Sequence, residues 1–261
     1  MPRLAIGIEY DGTAFCGWQR QEHAGSIQAA VEAAVSAVAD EPVVVNAAGR
    51  TDAGVHASAQ VAHFETRAVR SLRSWLLGVN SNLPRAVTLT WVREVPAGFD
   101  ARYSATARTY HYLILNRTAR PALRRDRVWW VASDLALAPM QAAATELLGE
   151  HDFSAFRAAQ CQARSPRRDL QRLVLERRGD CIVVECRANA FLHHMVRNIV
   201  GSLVRVGRGE ADPTWLGEVL RGRDRRSAGM TAPACGLYLT AVHYPAHFDL
   251  PVPAERCPGD L

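Results

Sequence analysis

Strand-like and helix-like patterns of apolar residues follow one another along the chain, and their order limits the possible folds more than any other feature. Residues 4–10 alternate apolar with small or polar side chains, which is typical of a strand, and Asp11-Gly12 then gives a turn signal. From Ser26 onward apolar residues recur at helical spacing, and Ser26 is the predicted N-cap. Further segments of both kinds follow in two series of related order, which predicts sheets that carry helices.

The two series contain similar elements. In the first, strands are predicted at residues 4–10, 43–45, 60–64 and 87–95, and helices at residues 27–38 and 72–83. In the second, strands are predicted at residues 110–115, 170–177, 182–188 and 237–244, and helices at residues 139–148, 192–206 and 214–220. The repeated order predicts an α+β fold of two similar halves, with antiparallel or mixed sheets and helices on one face. We therefore expect domains at residues 1–105 and 106–261, ending in an extended tail over residues 251–261.

The composition is that of a globular protein with a modest excess of positive charge. Hydrophobic residues make up 48% of the 261 residues and charged residues 22%, which excludes a disordered chain. All 31 basic residues are arginine, against 26 acidic residues, and the net charge is +5. Arginine pairs bidentately with phosphate and stacks on bases, so the sequence is compatible with RNA binding, although compositional bias explains the missing lysine more simply. Arginines are concentrated at residues 117–127, 164–172 and 221–226.

The cysteines and the N-terminus bear on metal binding and location. Six cysteines form no CxxC pair and no regular spacing, so neither a zinc site nor a disulfide framework is predicted. The first ten residues become polar too soon for a signal peptide, and no apolar run approaches membrane-spanning length. We expect reduced thiols, no membrane association and a cytoplasmic location.

One short segment, residues 49–57, concentrates reactive side chains between two predicted strands. Gly49 and Gly54 permit tight backbone turns, and Asp52 lies between them with Arg50 and Thr51 beside it. A carboxylate in a glycine-flanked turn is by itself most often an ordinary turn former. The loop alone therefore does not identify a catalytic acid.

A comparison of whole motifs is more specific. The segment at residues 49–57, Gly-Arg-Thr-Asp-Ala-Gly-Val-His-Ala, resembles the active-site motif of the tRNA pseudouridine synthase A family, in which the aspartate is catalytic. The resemblance extends over nearly the whole chain, through motifs at residues 10–21, 79–84, 99–110, 189–201 and 236–239. It implies the pseudouridine synthase fold, an active-site cleft between the two halves, and isomerisation of uridine to pseudouridine in tRNA.

The resemblance also implies roles for three residues. Asp52 is implied as the catalytic nucleophile, although chemistry alone leaves open whether it attacks the sugar or base, takes a proton or stabilises an oxocarbenium-like centre. Arg197, on the predicted helix 192–206, is implied as the cation that keeps Asp52 ionised. Tyr110 is implied to lie against the target base and to move a proton. For Arg50, a contact with the flipped nucleotide or its phosphate is favoured over a plain turn or capping role.

Other aromatic and histidine residues have simpler interpretations. Tyr112 faces the same side of its strand as Tyr110, and packing accounts for it better than chemistry. His193 and His194 are predicted on one helix, where adjacent side chains point about 100° apart, so they do not form a metal pair. No metal and no organic cofactor is expected. The sequence does not decide whether Tyr10 and its aromatic neighbours belong to the core or contact RNA.

The implied partner is tRNA, modified at positions 38 to 40 of the anticodon stem-loop by a homodimer that grips one tRNA across both subunits. Thr109 and His111 stand where the family frequently has basic residues, and this departure concerns RNA affinity and not chemistry. A non-catalytic RNA-binding or RNA-folding protein is an alternative, opposed by the presence of Asp52, Tyr110 and Arg197. A carboxylate hydrolase is a weaker alternative, because it requires a second acid in the loop.

Overall fold

The computed structural model describes residues 1–252, which form two compact units. The first unit contains Met1–Thr106 together with the described residues from Tyr238 onward, and the second contains Ala107–Leu237. The division expected at residue 105 placed the whole C-terminal part in one domain, whereas the last strand groups with the first unit. The tail expected at residues 251–261 lies almost wholly outside the described residues.

Five helices and ten strands are present among residues 1–252. In chain order they are β1 (Arg3–Tyr10), α1 (Ile27–Ala39), β2 (Asn46–Ala47), β3 (His56–Glu65), α2 (Leu72–Asn82), β4 (Val87–Val95), β5 (Ala107–Asn116), β6 (Trp129–Val131), α3 (Leu137–Thr145), β7 (Gly149–Asp152), β8 (Arg167–Arg178), β9 (Cys181–Ala188), α4 (Met195–Gly207), α5 (Trp215–Gly222) and β10 (Leu237–His243). None of these helices is long and apolar enough to cross a membrane.

In the first unit, β1 is antiparallel to both β3 and β4, and β10 runs parallel to β3. Helix α1 begins as predicted, because the Ser26 side chain accepts the N–H of Ala29 at 3.3 Å. Its Ile27, Val31 and Val35 are completely buried on one stripe, and α1 packs against α2, which in turn packs against β4. The unit is therefore a mixed sheet with helices packed against it.

In the second unit, β5, β9, β8 and β7 form an antiparallel series, and β6 runs parallel to β5. Helix α3 packs against β8 and α4. Helix α4 buries Met195, Ile199 and Leu203, and it begins three residues later than the helix predicted at residues 192–206. Antiparallel and mixed sheets with helices confirm the predicted α+β class.

The strand predicted at residues 43–45 is wrong. Its buried valines alternate with an exposed one, but the N–H of Val43 is donated to Ser36 Oγ at 2.9 Å and that of Val45 to Glu32 Oε1 at 3.0 Å. These amides bind side chains of α1, so pairing with β3 begins only at Asn46. The sequence also missed β6 and β7, which are three and four residues long and have little apolar periodicity.

Candidate active site

The acid loop, residues 48–55, connects β2 to β3 and presents Asp52. At its start the N–H of Ala48 binds the carbonyl of Val61 at 2.8 Å, and at its end the N–H of Val55 binds the carbonyl of Asp52 at 3.1 Å. Gly54 has φ 77°, a conformation that favours glycine, so the tight turn predicted there is present. Gly49 does not have a positive φ. Asp52 is half-buried and Arg50 is exposed.

Residues 12–18 support the backbone of the acid loop. The N–H of Trp18 binds the carbonyl of Thr51 at 3.0 Å, and the N–H of Gly54 binds the carbonyl of Phe15 at 3.4 Å. Gly17 has φ 88°, and a Cβ there would lie 2.6 Å from the Thr51 oxygen. Only glycine combines this conformation with this close approach. The motif at residues 10–21 is thus explained by its support of the loop, a role that the sequence analysis did not assign.

Buried side chains hold the acid loop from within the unit. The Tyr10 hydroxyl lies 2.8 Å from Thr51 Oγ1, and Gln60 Nε2 donates to the Gly49 carbonyl at 2.8 Å. Burial raises the pKa of Tyr10 to about 12, more than its hydrogen bonds to Thr51 and Gln60 lower it. Tyr10 is therefore a neutral core residue, which answers a question that the sequence left open.

His56 fixes the far end of the acid loop. Its Nδ1 accepts the N–H of Gly12 at 3.1 Å, and its ring stacks on Tyr238 of β10 at a centroid distance of 4.7 Å. A Cβ at Gly12 would lie only 2.0 Å from the carbonyl oxygen of Val55, so β1 ends directly against the loop. The loop is therefore held at both ends as well as along its backbone.

In the second unit, Tyr110 lies on β5 opposite Cys186 of β9 and is 8% exposed. Its ring meets the edge of Phe191 at a centroid distance of 5.1 Å. Tyr112 is completely buried, and its hydroxyl donates to the Pro233 carbonyl at 2.7 Å. The packing interpretation of Tyr112 is confirmed, and burial raises its pKa well above the ordinary value.

Arg197 lies in the first turn of α4 and exchanges two hydrogen bonds with Ala232. Its Nε donates to the Ala232 carbonyl at 2.8 Å, and the N–H of Ala232 donates to the Arg197 carbonyl at 3.1 Å. Because Tyr112 binds the next carbonyl, that of Pro233, the segment 232–233 joins α4 to β5. Arg197 and the two tyrosines of β5 are therefore held in one part of the second unit.

Asn198, the residue after Arg197 in α4, is completely buried although its side chain is polar. Its Nδ2 donates to the Phe156 carbonyl at 2.7 Å, and its Oδ1 accepts from Arg225 at 3.0 Å and from Thr231 at 2.7 Å. The second face of α4 therefore packs against residues 229–232 instead of facing solvent. Asn198 holds the segment to which Arg197 binds.

The two histidines before α4 also differ from expectation. His194 has φ 62° and precedes the helix, and the rings of His193 and His194 lie side by side with centroids 4.0 Å apart. The argument that a helix would separate their side chains is therefore wrong. The backbone of His193 accepts the N–H of Ala158 at 3.0 Å and donates to Cys161 Sγ at 3.4 Å.

The candidate residues are thus distributed over both units, with Arg50 and Asp52 in the first and Tyr110 and Arg197 in the second. Hydrogen bonds hold the acid loop in the first unit and Arg197 in the second, where Tyr110 packs against Phe191. The pairing of Arg197 with Asp52 stays a prediction.

Comparison with known proteins identifies the class. A family model described as "tRNA pseudouridine synthase" matches residues 6–104 and 143–245, so the chain is of the pseudouridine synthase class. Proteins called tRNA pseudouridine synthase A cover almost all of it. That of Thiobacillus denitrificans is 54% identical over 258 residues, 99% of either chain. That of Methylococcus capsulatus is 55% identical over 260 residues, 99% of this chain and 96% of the relative. That of Klebsiella pneumoniae is 53% identical over 250 residues, 96% of this chain and 93% of the relative.

The chain therefore belongs to the tRNA pseudouridine synthase A family, and the resemblance inferred from its motifs is confirmed. Among solved structures, a chain of the archaeal box H/ACA sRNP Nop10-Cbf5 complex is 12% identical with a TM-score of 0.38, over 91% of this chain and 48% of that chain. This similarity is too low to define a fold.

Proposed function

We propose that this chain isomerises uridine to pseudouridine at positions 38 to 40 of the tRNA anticodon stem-loop, with Asp52 as the nucleophile. Family membership supports an isomerase that acts on tRNA uridine. The assignment of Asp52 depends most on the support of the acid loop. Thr51 before it and Val55 after it are buried and hydrogen-bonded, while the Asp52 side chain keeps access to solvent. Such preorganisation places a reacting group accurately.

The proposed reaction breaks the bond between N1 of uracil and C1′ of ribose, turns the base and joins C5 to C1′. The proton on C5 leaves and N1 gains one, so atoms and electrons balance without a co-reactant. An ionised carboxylate is a competent nucleophile for such a substitution and also stabilises positive charge at the sugar. No other group is required to accept or supply electrons.

Arg197 and Tyr110 are proposed to complete the site. Arg197 holds Asp52 in its charged form and in a fixed orientation, since a guanidinium binds a carboxylate through two hydrogen bonds. Tyr110 lies against the target base and moves the C5 proton. The bonds of Arg197 to Ala232 and of Tyr112 to Pro233 support a shared position for Arg197 and Tyr110.

Arg50 is proposed to bind the flipped nucleotide or its phosphate, because it is exposed two residues from Asp52. The active protein is proposed to be a cytoplasmic homodimer that holds one tRNA across both subunits. The second statement depends on the family motifs.

The decisive experiment replaces Asp52 by asparagine, which keeps the size of the side chain and removes its charge. We expect Asp52→Asn to abolish pseudouridine formation, measured by pseudouridine mapping of tRNA, while tRNA binding survives. Asp40→Asn is the matched control, because Asp40 is exposed and its φ of 58° suits asparagine. Residual turnover within about tenfold of the unmodified enzyme, about 1.4 kcal/mol in barrier, would exclude Asp52 as the catalyst.

A further inference from the structure

Two arginines lie close together in the cation loop, which we define as residues 157–168, the segment before β8 together with the first two residues of that strand. The NH2 group of Arg157 donates to the carbonyls of Cys161 and Ala163, the latter at 3.0 Å. The NH1 group of Arg168 donates to the Ser165 carbonyl at 2.9 Å. Burial lowers the pKa of Arg168, and the nearby charge of Arg157 lowers it further. Backbone carbonyls therefore hold two like charges near each other.

The arrangement leaves hydrogen-bonding capacity unused. Arg168 Nε is buried without a hydrogen-bond partner. Among residues 1–252, neither Arg157 nor Arg168 forms an ion pair with a carboxylate, although their neighbour Arg167 binds Glu150 at 2.9 Å. A buried donor without an acceptor and two adjacent cations without an anion are both unfavourable. An anion bound by the partly exposed ends of both guanidiniums would neutralise the two adjacent cations.

The cation loop is joined to the surroundings of Tyr110. The N–H of Ala158 binds the His193 carbonyl at 3.0 Å, and Phe191, whose ring contacts Tyr110 at 5.1 Å, lies two residues before His193. Two residues of chain span at most about 7 Å. An anion on the cation loop would therefore lie in the same part of the second unit as Tyr110.

We propose that Arg157 and Arg168 bind a phosphate of the RNA substrate, at a site that is separate from the reacting groups. The identity of the ligand as RNA rests on the proposed function. A phosphodiester suits the site because its two free oxygens accept bonds from guanidinium groups in fork geometry. Contacts of this kind fix the register of RNA on a protein without reading its sequence. The carbonyl bonds of Arg157 and Arg168 give them the fixed orientation that such recognition needs.

The first test measures tRNA binding as a function of salt in the Asp52→Asn background, so that the result does not depend on catalysis. Each phosphate contact contributes about 0.7 to 0.9 to the slope of log affinity against log salt. Arg168→Met should weaken binding at low salt and reduce the slope by about one contact. Arg167→Met removes the same charge from the exposed neighbour and should change the slope much less.

The comparison of variants distinguishes the outcomes. Arg168→Lys should restore the slope, because it keeps the charge, but not the full affinity, because lysine lacks the planar fork of donors that binds a phosphate through two hydrogen bonds. Equal slopes in Arg167→Met and Arg168→Met would assign the effect to net charge and overturn the site. A lower kcat at saturating tRNA with an unchanged slope, in Arg168→Met with Asp52 intact, would also overturn it.

Cys161 provides a second readout, because its thiol interacts with both Arg157 and Arg168. Binding of tRNA should slow alkylation of the half-buried Cys161 several-fold, measured by peptide mass spectrometry, and should slow it much less in Arg168→Met. Inorganic phosphate, at an ionic strength matched with chloride, should protect only weakly. Full protection by phosphate alone would mean a free-anion site, and no protection by tRNA would overturn the proposal.

Discussion

The acid loop and the cation loop hold their functional side chains in opposite ways. In the acid loop, other residues do the holding: Trp18 and Tyr10 bind Thr51, while Asp52 lies on a turn that Gly54 permits. In the cation loop, the guanidiniums of Arg157 and Arg168 themselves bind the backbone carbonyls of the loop. The Asp52 carboxylate is thus positioned by bonds that its neighbours make, whereas the guanidiniums of Arg157 and Arg168 themselves make the bonds that hold their loop.

This difference has a physical origin. A nucleophile must be placed to a fraction of an ångström and must keep its lone pairs for the substrate, so it is better held by its neighbours. A guanidinium has five donors, so two can bind carbonyls while others remain for a phosphate. Substitutions at Asp52 should therefore alter chemistry without loosening its loop, whereas substitutions at Arg157 should alter the loop as well.

The largest expected effect tests whether the acid loop needs a cation from outside it. Arg197→Met should lower kcat by about 100-fold or more while tRNA affinity changes little, because Asp52 loses its proposed charge partner. Arg205→Met is the control, since Arg205 is exposed on the same helix. A defect in tRNA affinity alone would reassign Arg197 to RNA binding.

The second prediction breaks the support beneath the acid loop. Gly17→Ala forces a side chain into φ 88° and toward the Thr51 oxygen, so the free energy of unfolding should fall by about 2 kcal/mol or more, with a loss of turnover. At Gly25 a Cβ would meet nothing within 4 Å, so Gly25→Ala should leave both unchanged. Urea unfolding and single-turnover rates provide the measurements. Equal behaviour of the two variants would show that residues 12–18 do not support the loop.

The third prediction separates stability from positioning. Tyr10→Phe removes the buried hydrogen bonds of its hydroxyl to Thr51 and Gln60, and Tyr244→Phe removes a half-buried hydrogen bond to the Ala101 carbonyl. Both should lower the free energy of unfolding by about 1 kcal/mol. Only Tyr10→Phe should also lower kcat, by about tenfold, because its hydroxyl binds the residue next to Asp52. A similar kcat for the two variants would show that the Tyr10 hydroxyl does not help to position the acid loop.

The sequence predicted much of the fold where local signals are strong. Ser26 is the N-cap of α1, as its hydroxyl side chain predicted, and β4 has the predicted bounds of residues 87–95. Signals failed where distant groups decide. Nothing local in residues 43–45 shows that the side chains of Glu32 and Ser36 accept hydrogen bonds from their backbone N–H groups. The polar strand β7 forms only because β8 pairs with it.

The same limit applies to the site. A motif was enough to single out Asp52, because its residues are contiguous. The contact of Gly17 with Thr51, and the approach of Arg157 to Arg168, join residues with no periodic relation. Such contacts depend on the tertiary path of the chain. The cluster at residues 164–172 was recognised as rich in arginine, but its sequence did not show which arginine lacks an acidic partner.

The smallest expected effect concerns the cation loop and is electrostatic. Burial opposes ionisation of Cys161, but the N–H groups of Ala163 and His193 and the charge of Arg157 together hold the pKa of its thiol below the usual value. Arg157→Met removes the cation, so this pKa should rise and the thiolate should be scarcer at neutral pH. The midpoint of the alkylation rate against pH measures the change, while the plateau at high pH reports access to the thiol and should rise if the loop loosens.

Arg164→Met, at an exposed arginine of the same loop, should leave midpoint and plateau unchanged. If Arg157→Met changed neither quantity, its guanidinium would not support the cation loop, and the contrast with the acid loop would fail.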